Sequence, residues 1–132
     1  MDTSKKFIEM CRKATEIQEL WKPYFGDFLF VEGHNLLTQV KIDTEKEEFI
    51  IHKTHTWLPR QDQLQNMIPD DCEIEIGKDA LKKDEVWYAL ICDNKYKVPL
   101  CLGQTSEQAL IKAIMHKFHK KKWGSGQWES QK

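Results

Sequence analysis

The sequence has few residues of the types that mark unusual protein classes. Glycine occurs six times and proline four times in 132 residues, too few for a fibrous or low-complexity chain. No uninterrupted apolar run approaches the roughly 20 residues of a membrane-spanning helix. The first residues lead into an amphipathic segment instead of a signal peptide. We therefore expect a folded, cytoplasmic protein that is neither secreted nor inserted in a membrane.

An excess of charge of either sign is also missing. Twenty Lys and Arg side chains face twenty-one Asp and Glu side chains, which gives a formal net charge of −1. Such a balance creates no overall field that attracts nucleic acid or an anionic membrane. Any binding of this kind must therefore come from a local cluster of like charges.

The sequence lacks the cysteine spacing of a metal or redox site. Its four cysteines are Cys11, Cys72, Cys92 and Cys101, and no two of them form a Cys-x-x-Cys pair. All four lie within apolar patterns. We predict reduced side chains that belong to the core.

Histidines give two candidate sites, and each has a simpler interpretation. His116 and His119 are three residues apart on a predicted helix and could chelate a metal. Their stripe of the helical wheel also contains Gln108, Lys112 and Trp123, which is typical of a solvated face.

His52 and His55 could supply a general base at the end of a strand. No serine or cysteine nucleophile motif accompanies them, which favours structural histidines. The sequence also contains no glycine-rich phosphate loop before a helix and no recognisable triad or paired carboxylates. We predict a protein that is not an enzyme and that binds no metal or cofactor.

Periodicity divides the first half of the chain into one helix and three strands. Apolar residues at helical spacing predict a helix over residues 4–21. Strand-forming residues predict strands over 28–31, 36–42 and 49–51, arranged most simply as a meander.

The second half begins with a short helix after Pro59. Alternating and apolar segments then predict an edge strand over 72–76, a buried strand over 86–92 and a strand over 96–102. Thr105 and Gln108 fit a capping box that starts the last helix. Its predicted buried stripe consists of Leu110, Ile111, Ile114, Met115 and Phe118.

These elements predict an α+β fold in which the N-terminal and C-terminal helices pack on an antiparallel sheet. A single domain over residues 1–132 is the preferred organisation. Two sub-domains joined near Lys53 are the alternative. The tail beyond Trp128 is predicted to lack regular structure.

Two segments are candidate binding surfaces. The first combines amide side chains with an aromatic and an arginine, at Trp57, Arg60, Gln61 and Gln63. These residue types are common where protein interfaces are strongest, so we predict contact with a protein partner. The alternative is a connector helix with a wet polar face.

The second candidate surface is the basic and aromatic end of the last helix, at Lys120, Lys121, Lys122 and Trp123. Lysines beside tryptophans can hold phosphates and stack bases. The same lysines also complement the helix dipole. Nucleic-acid binding is therefore possible here but less favoured than a protein partner.

Residues 57–67, the helix start at 105–110 and the sequence Trp-Gly-Ser-Gly-Gln-Trp at 123–128 carry a resemblance to a family. Together they resemble small bacteriophage and prophage proteins of Gram-positive bacteria. The resemblance implies a prophage accessory protein with a host or phage protein as its partner, and it implies no chemistry. It also hints at the helix–strand–helix sandwich of some small phage proteins.

Overall fold

The structure is a computed structural model that describes residues 1–24, 26–32, 36–40, 55–79, 86–93 and 100–131. Within these residues, four helices and eight strands in three antiparallel sheets confirm the predicted α+β class. The described residues belong to two compact units. Residues 3–59 form the N-terminal unit, and residues 60–132 with Met1 and Asp2 form the C-terminal unit. The single domain stays a prediction.

The helix predicted over residues 4–21 is broken into α1 (Lys5–Lys13) and α2 (Thr15–Glu19). The backbone leaves helical geometry at Ala14, where ψ is 73°. A continuous helix would bond the Cys11 carbonyl to the N–H four residues later. At the break that carbonyl accepts from the Ala14 N–H, three residues later, at 3.2 Å and from Gln18 Nε2 at 3.1 Å. The side-chain amide thus supplies a second donor to this carbonyl at the break.

The N-terminal unit contains a sheet of β1 (Phe28–Val31), β2 (Leu36–Gln39) and β3 (His55–Leu58). The strand order is β2-β1-β3, and both pairings are antiparallel. The predicted meander placed its third strand at residues 49–51, which lie outside the described residues together with His52. Among the described strands β1 is central, because β3 pairs with β1 and not with β2.

A glutamine joins α2 to β3. Gln18 Oε1 accepts a hydrogen bond from the Trp57 N–H, and Gln18 Nε2 donates to the Trp57 carbonyl, both at 2.9 Å. The Trp57 ring stacks on Trp21 with centroids 6.1 Å apart. Trp21 Nε1 donates in turn to Asp27 at 2.8 Å. The amide therefore pairs with the strand in the way a neighbouring backbone would.

The C-terminal unit begins with α3 (Gln61–Asn66), followed by β4 (Glu73–Lys78), β5 (Trp87–Cys92) and β6 (Cys101–Gly103). These strands pair antiparallel in the order β4-β5-β6. The short helix, the edge strand and the buried strand predicted from the sequence are confirmed. Of the strand predicted over 96–102, residues 94–99 lie outside the described residues.

Helix α4 (Ser106–His119) packs on β5 and β6, and its start agrees only partly with the predicted capping box. Thr105 Oγ1 accepts a hydrogen bond from the Gln108 N–H at 3.2 Å, as expected. The Gln108 side chain does not return to Thr105. Its Oε1 accepts from the Gln104 N–H at 3.3 Å, and its Nε2 donates to the Asp2 carboxylate at 3.0 Å. The buried Asp2 therefore completes the cap.

The buried stripe of α4 differs from the prediction in its last turn. Leu110, Ile111, Ile114 and Met115 are buried as expected. Phe118 is 36% exposed, so its predicted burial was wrong. The Lys117 side chain is only 5% exposed because its ammonium group pairs with Asp93 at 2.6 Å, just after β5.

The residues after α4 form a hairpin of β7 (Lys121–Gly124) and β8 (Gln127–Ser130). The prediction that residues 121–123 belong to the last helix was therefore wrong, and so was the irregular tail predicted beyond Trp128. Lys120 ends α4 in the left-handed region, at φ 54° and ψ 43°. Ser125 and Gly126 have φ values of 53° and 77°, which suit the two-residue turn that favours right-twisted hairpins. A Ser-Gly pair between two strand-forming segments was the signal that the prediction missed.

Two further findings concern the cysteines and the helices. All four cysteines are free thiols, and Cys11 is buried as predicted. Cys72, Cys92 and Cys101 are half-buried, so the prediction that they belong to the core was wrong. No helix within the described residues combines the length and the apolar composition needed to cross a membrane.

Candidate functional site

The first predicted binding surface is divided between the two units. Trp57 belongs to the N-terminal unit, where its side chain is 4% exposed and stacked on Trp21. Arg60, Gln61 and Gln63 belong to the C-terminal unit. The Trp57 ring therefore belongs to a core. Too little of it is exposed to support the predicted contact with a protein partner.

Polar groups in α3 and at its N-cap residue Arg60 bond to one another. The Arg60 N–H donates to Gln63 Oε1 at 2.9 Å, and Arg60 Nε donates to Asp62 Oδ1 at 3.2 Å. Gln61 Nε2 approaches Gln65 Oε1 at 3.5 Å, one turn further along the helix. These contacts stabilise the first turn of a short helix. They agree with the connector-helix interpretation, and contact with a protein partner stays a prediction.

The second predicted surface borders a cleft of about 420 Å³ in the C-terminal unit. Residues of β6, α4 and β7 line it, namely Cys101, Leu102, Lys112, His116, Lys122 and Trp123. The volume lies within the range of pockets that hold one small ligand. We call this the basic cleft, since none of its described lining residues is acidic.

Helix α4 supplies two polar groups to one side of the basic cleft. Lys112 and His116 are four residues apart, so their side chains lie on the same helix face. Lys112 Nζ donates to the Leu102 carbonyl at 2.7 Å, which fixes the ammonium group beside β6. The predicted solvated stripe of α4 was therefore wrong at Lys112. It was also wrong at Gln108, whose side chain is fully buried.

The two lysines of the cleft both act on the Cys101 thiol. Burial raises the pKa of Cys101, and the ammonium groups of Lys112 and Lys122 act in the opposite direction. A positive charge lowers a thiol pKa because it stabilises the thiolate. Both ammonium groups therefore lie close enough to Cys101 to influence the same point.

The hairpin places an aromatic ring at the edge of the cleft. Trp123 and Trp128 are directly opposite each other on β7 and β8. Their ring centroids are 5.0 Å apart and the ring planes meet at 64°, an edge-to-face arrangement that aromatic pairs favour. Trp128 therefore holds the half-exposed Trp123 ring in a defined orientation.

The structure brings together only part of the predicted basic and aromatic segment. Lys122 and Trp123 border the cleft. Lys120 is the exposed residue that ends α4, and Lys121 lies on β7. The sequence interpretation missed Lys112, whose spacing from His116 was the available signal.

The predicted histidine sites differ in their outcome. His116 borders the basic cleft, while His119 does not. In the part of the chain that the structure describes, no three His, Cys, Asp or Glu side chains are grouped as a metal would require. His55 is the half-buried first residue of β3.

Alkylation of Cys101 tests the position of the Lys122 ammonium group. Replacing Lys122 with glutamine removes a charge that lowers the Cys101 pKa, so this pKa should rise further. Iodoacetamide should then react with Cys101 about twofold more slowly below the thiol pKa, as measured by peptide mass spectrometry. Cys72 is an internal control, because its pKa is raised chiefly by burial and does not depend on Lys122. Unchanged kinetics at Cys101, or equal slowing at Cys72, would contradict this geometry.

No protein-family model, curated protein sequence or solved structure matches this chain. The candidate site therefore has to be interpreted from its own geometry.

Proposed function

We propose that this protein is a non-enzymatic nucleic-acid-binding protein that holds a single strand in the basic cleft. One observation carries the proposal: Lys112, Lys122 and Trp123 come from two elements and border the same cleft. Lysines neutralise phosphates, and an aromatic ring stacks on any base. A paired base in a duplex is stacked on both faces, so a ring at the cleft edge favours an unpaired strand.

Local charge supports the same proposal in a chain that is nearly neutral. Residues 100–131 contain five lysines and two glutamates, Glu107 and Glu129. Glu107 is buried at the start of α4, where Ser106 Oγ donates to its carboxylate at 3.1 Å. Glu129 lies opposite Lys122 on β8 and is the acidic group nearest to that lysine along the hairpin. Lysine still outweighs glutamate in this part of the chain.

The protein-interaction hypothesis stays a prediction from the sequence. Its residues around α3 bond to one another, and its tryptophan lies in a core. A prophage setting and a cytoplasmic location likewise rest on the sequence alone. Binding of a single strand is compatible with both of them.

Fluorescence anisotropy with a labelled single-stranded oligonucleotide, repeated from about 50 to 200 mM salt, tests the proposal. Lys122→Gln should weaken binding and reduce the slope of log K against log salt by about 0.7, the value for one lost phosphate contact on a single strand. Trp123→Leu should cost about 1–3 kcal/mol of binding free energy, since it removes a stacking ring.

Lys22→Gln is the matched control, because it removes the same charge from an exposed position in the N-terminal unit. Its affinity should equal that of the unmodified protein. The absence of binding at low salt, or equal weakening by the control, would refute the proposal.

A further inference from the structure

We infer that the basic cleft binds the phosphorylated end of a strand, with a terminal phosphomonoester among Lys112, His116 and Lys122 and the terminal base against Trp123. This inference rests on the proposed function and adds the part of the nucleic acid that the cleft selects. It follows from the number of polar groups in the cleft, from their position around one cleft, and from the small volume of that cleft.

The number of donors fits a phosphomonoester. A phosphodiester within a strand carries one negative charge, whereas a phosphomonoester carries about −1.5 to −2 at neutral pH and offers three acceptor oxygens. Lys112 and Lys122 supply two positive charges, and His116 adds a ring that can donate a hydrogen bond. An internal phosphate would set only one negative charge against these two positive charges.

The convergence of the donors also favours one phosphate over several. Lys112 and His116 lie one turn apart on α4, and Lys122 reaches the same cleft from β7. Both ammonium groups also act on the pKa of the same Cys101 thiol, in the direction opposite to its burial. A surface that follows a long backbone would spread its lysines along a groove, because successive phosphates are several ångströms apart.

The dimensions of the cleft and its aromatic wall limit the ligand to about one nucleotide. A volume of about 420 Å³ is near the lower end of the range for small-ligand pockets. Trp123 is held edge-to-face by Trp128 and provides a single ring beside the lysines. A terminal nucleotide presents one phosphate and one base, and the rest of its strand can remain outside.

Three oligonucleotides of about eight nucleotides with the same sequence separate this inference from the proposed function. One carries a 5′-phosphate, one a 3′-phosphate, and one has hydroxyl groups at both ends. Each is labelled internally and titrated with the whole protein. One of the phosphorylated strands should bind at least about tenfold more tightly than the hydroxyl-ended strand, as expected for a contact to a charged group.

Lys122→Gln should reduce this tenfold preference to about twofold or less, whereas Lys22→Gln should preserve it. Lys122 is exposed, so its replacement should leave the fold unchanged, and circular dichroism checks this. His116→Gln keeps a donor and should reduce the preference only in part. Trp128→Leu removes the ring that orients Trp123 and should weaken the binding of all three oligonucleotides by a similar factor.

Two outcomes separate failure of the end-binding inference from failure of the proposed function. Equal affinity for the three strands would overturn the end-binding inference and leave the proposed function standing. Binding of a labelled nucleoside monophosphate without any oligonucleotide binding would refute the proposed function and the inference with it. Inorganic phosphate that competes as well as the nucleoside monophosphate would overturn the inference, since Trp123 would then contribute nothing.

Discussion

Replacing Gly103 with alanine is expected to destabilise the C-terminal unit by about 3 kcal/mol, because β6 and the first turn of α4 leave no space for a Cβ atom. A Cβ added at Gly103 would lie 2.5 Å from the Ala109 backbone nitrogen and 2.9 Å from the Gln108 carbonyl carbon. Both are backbone atoms of a regular helix and cannot rotate away. The strand end would have to separate from the helix and from the cap that Asp2 completes.

Two other glycines of the same unit provide matched controls. At Gly124 the nearest atom to an added Cβ is Glu129 Oε2 at 3.4 Å, the tip of an exposed side chain. Alanine there should cost less than about 1 kcal/mol. Gly126 has open space around it but a φ of 77°, so alanine should cost about 1 kcal/mol through backbone strain alone.

Hydrogen exchange of α4 peptides, combined with urea unfolding followed by circular dichroism, measures these effects. The expected order of destabilisation is Gly103, then Gly126, then Gly124. A Gly103→Ala variant with the stability of the unmodified protein would show that β6 and α4 are not in close contact.

Signals that depend on neighbouring residues predicted much of the fold. Thr105 starts α4 because its hydroxyl accepts from an N–H three residues later. The alternation of Ile74 and Ile76 with acidic residues marks β4. In each case the deciding interaction or periodicity lies within a few residues, which is the range that a sequence pattern reports.

Two predictions that were wrong involve side chains that bond to residues distant in the sequence. The N-terminal helix breaks where the Gln18 side-chain amide bonds to the carbonyls of Cys11 and Trp57, and Trp57 is 39 residues away. The Gln108 side chain bonds to Asp2, 106 residues away, and does not form the predicted capping box. A helical wheel classifies both glutamines as polar and cannot reveal which backbone or carboxylate they meet.

The candidate site was also predicted only where its residues are close together in the sequence. Lys122 and Trp123 were identified because they are adjacent in a basic and aromatic segment. Lys112 and Cys101 were missed as site residues, since only the packing of α4 against β6 brings the Lys112 ammonium to the Leu102 carbonyl. The cleft therefore depends on tertiary contacts, while its charge was already visible in the sequence.

The buried pair of Lys117 and Asp93 leads to the second large prediction. The Lys117 side chain is 5% exposed, the Asp93 side chain is 24% exposed, and the charged atoms are 2.6 Å apart. Asp93→Ala should destabilise the protein by about 3 kcal/mol, because the Lys117 ammonium loses this carboxylate while it stays largely out of water. Lys117→Met should cost less, about 1–2 kcal/mol, since methionine keeps most of the buried apolar stem.

The double variant Asp93→Leu with Lys117→Met gives the sharpest test of this pair. Apolar residues that replace both members of a buried ion pair are often neutral or stabilising, so the double variant should unfold within about 1 kcal/mol of the unmodified protein. The exposed pair of Arg60 and Asp62, at 3.2 Å, is the matched control, and Asp62→Ala should cost less than about 1 kcal/mol. Urea unfolding of the five proteins measures these differences. If the double variant lost as much stability as the sum of the two losses, the two side chains would act independently and the pair would not explain the burial of Lys117.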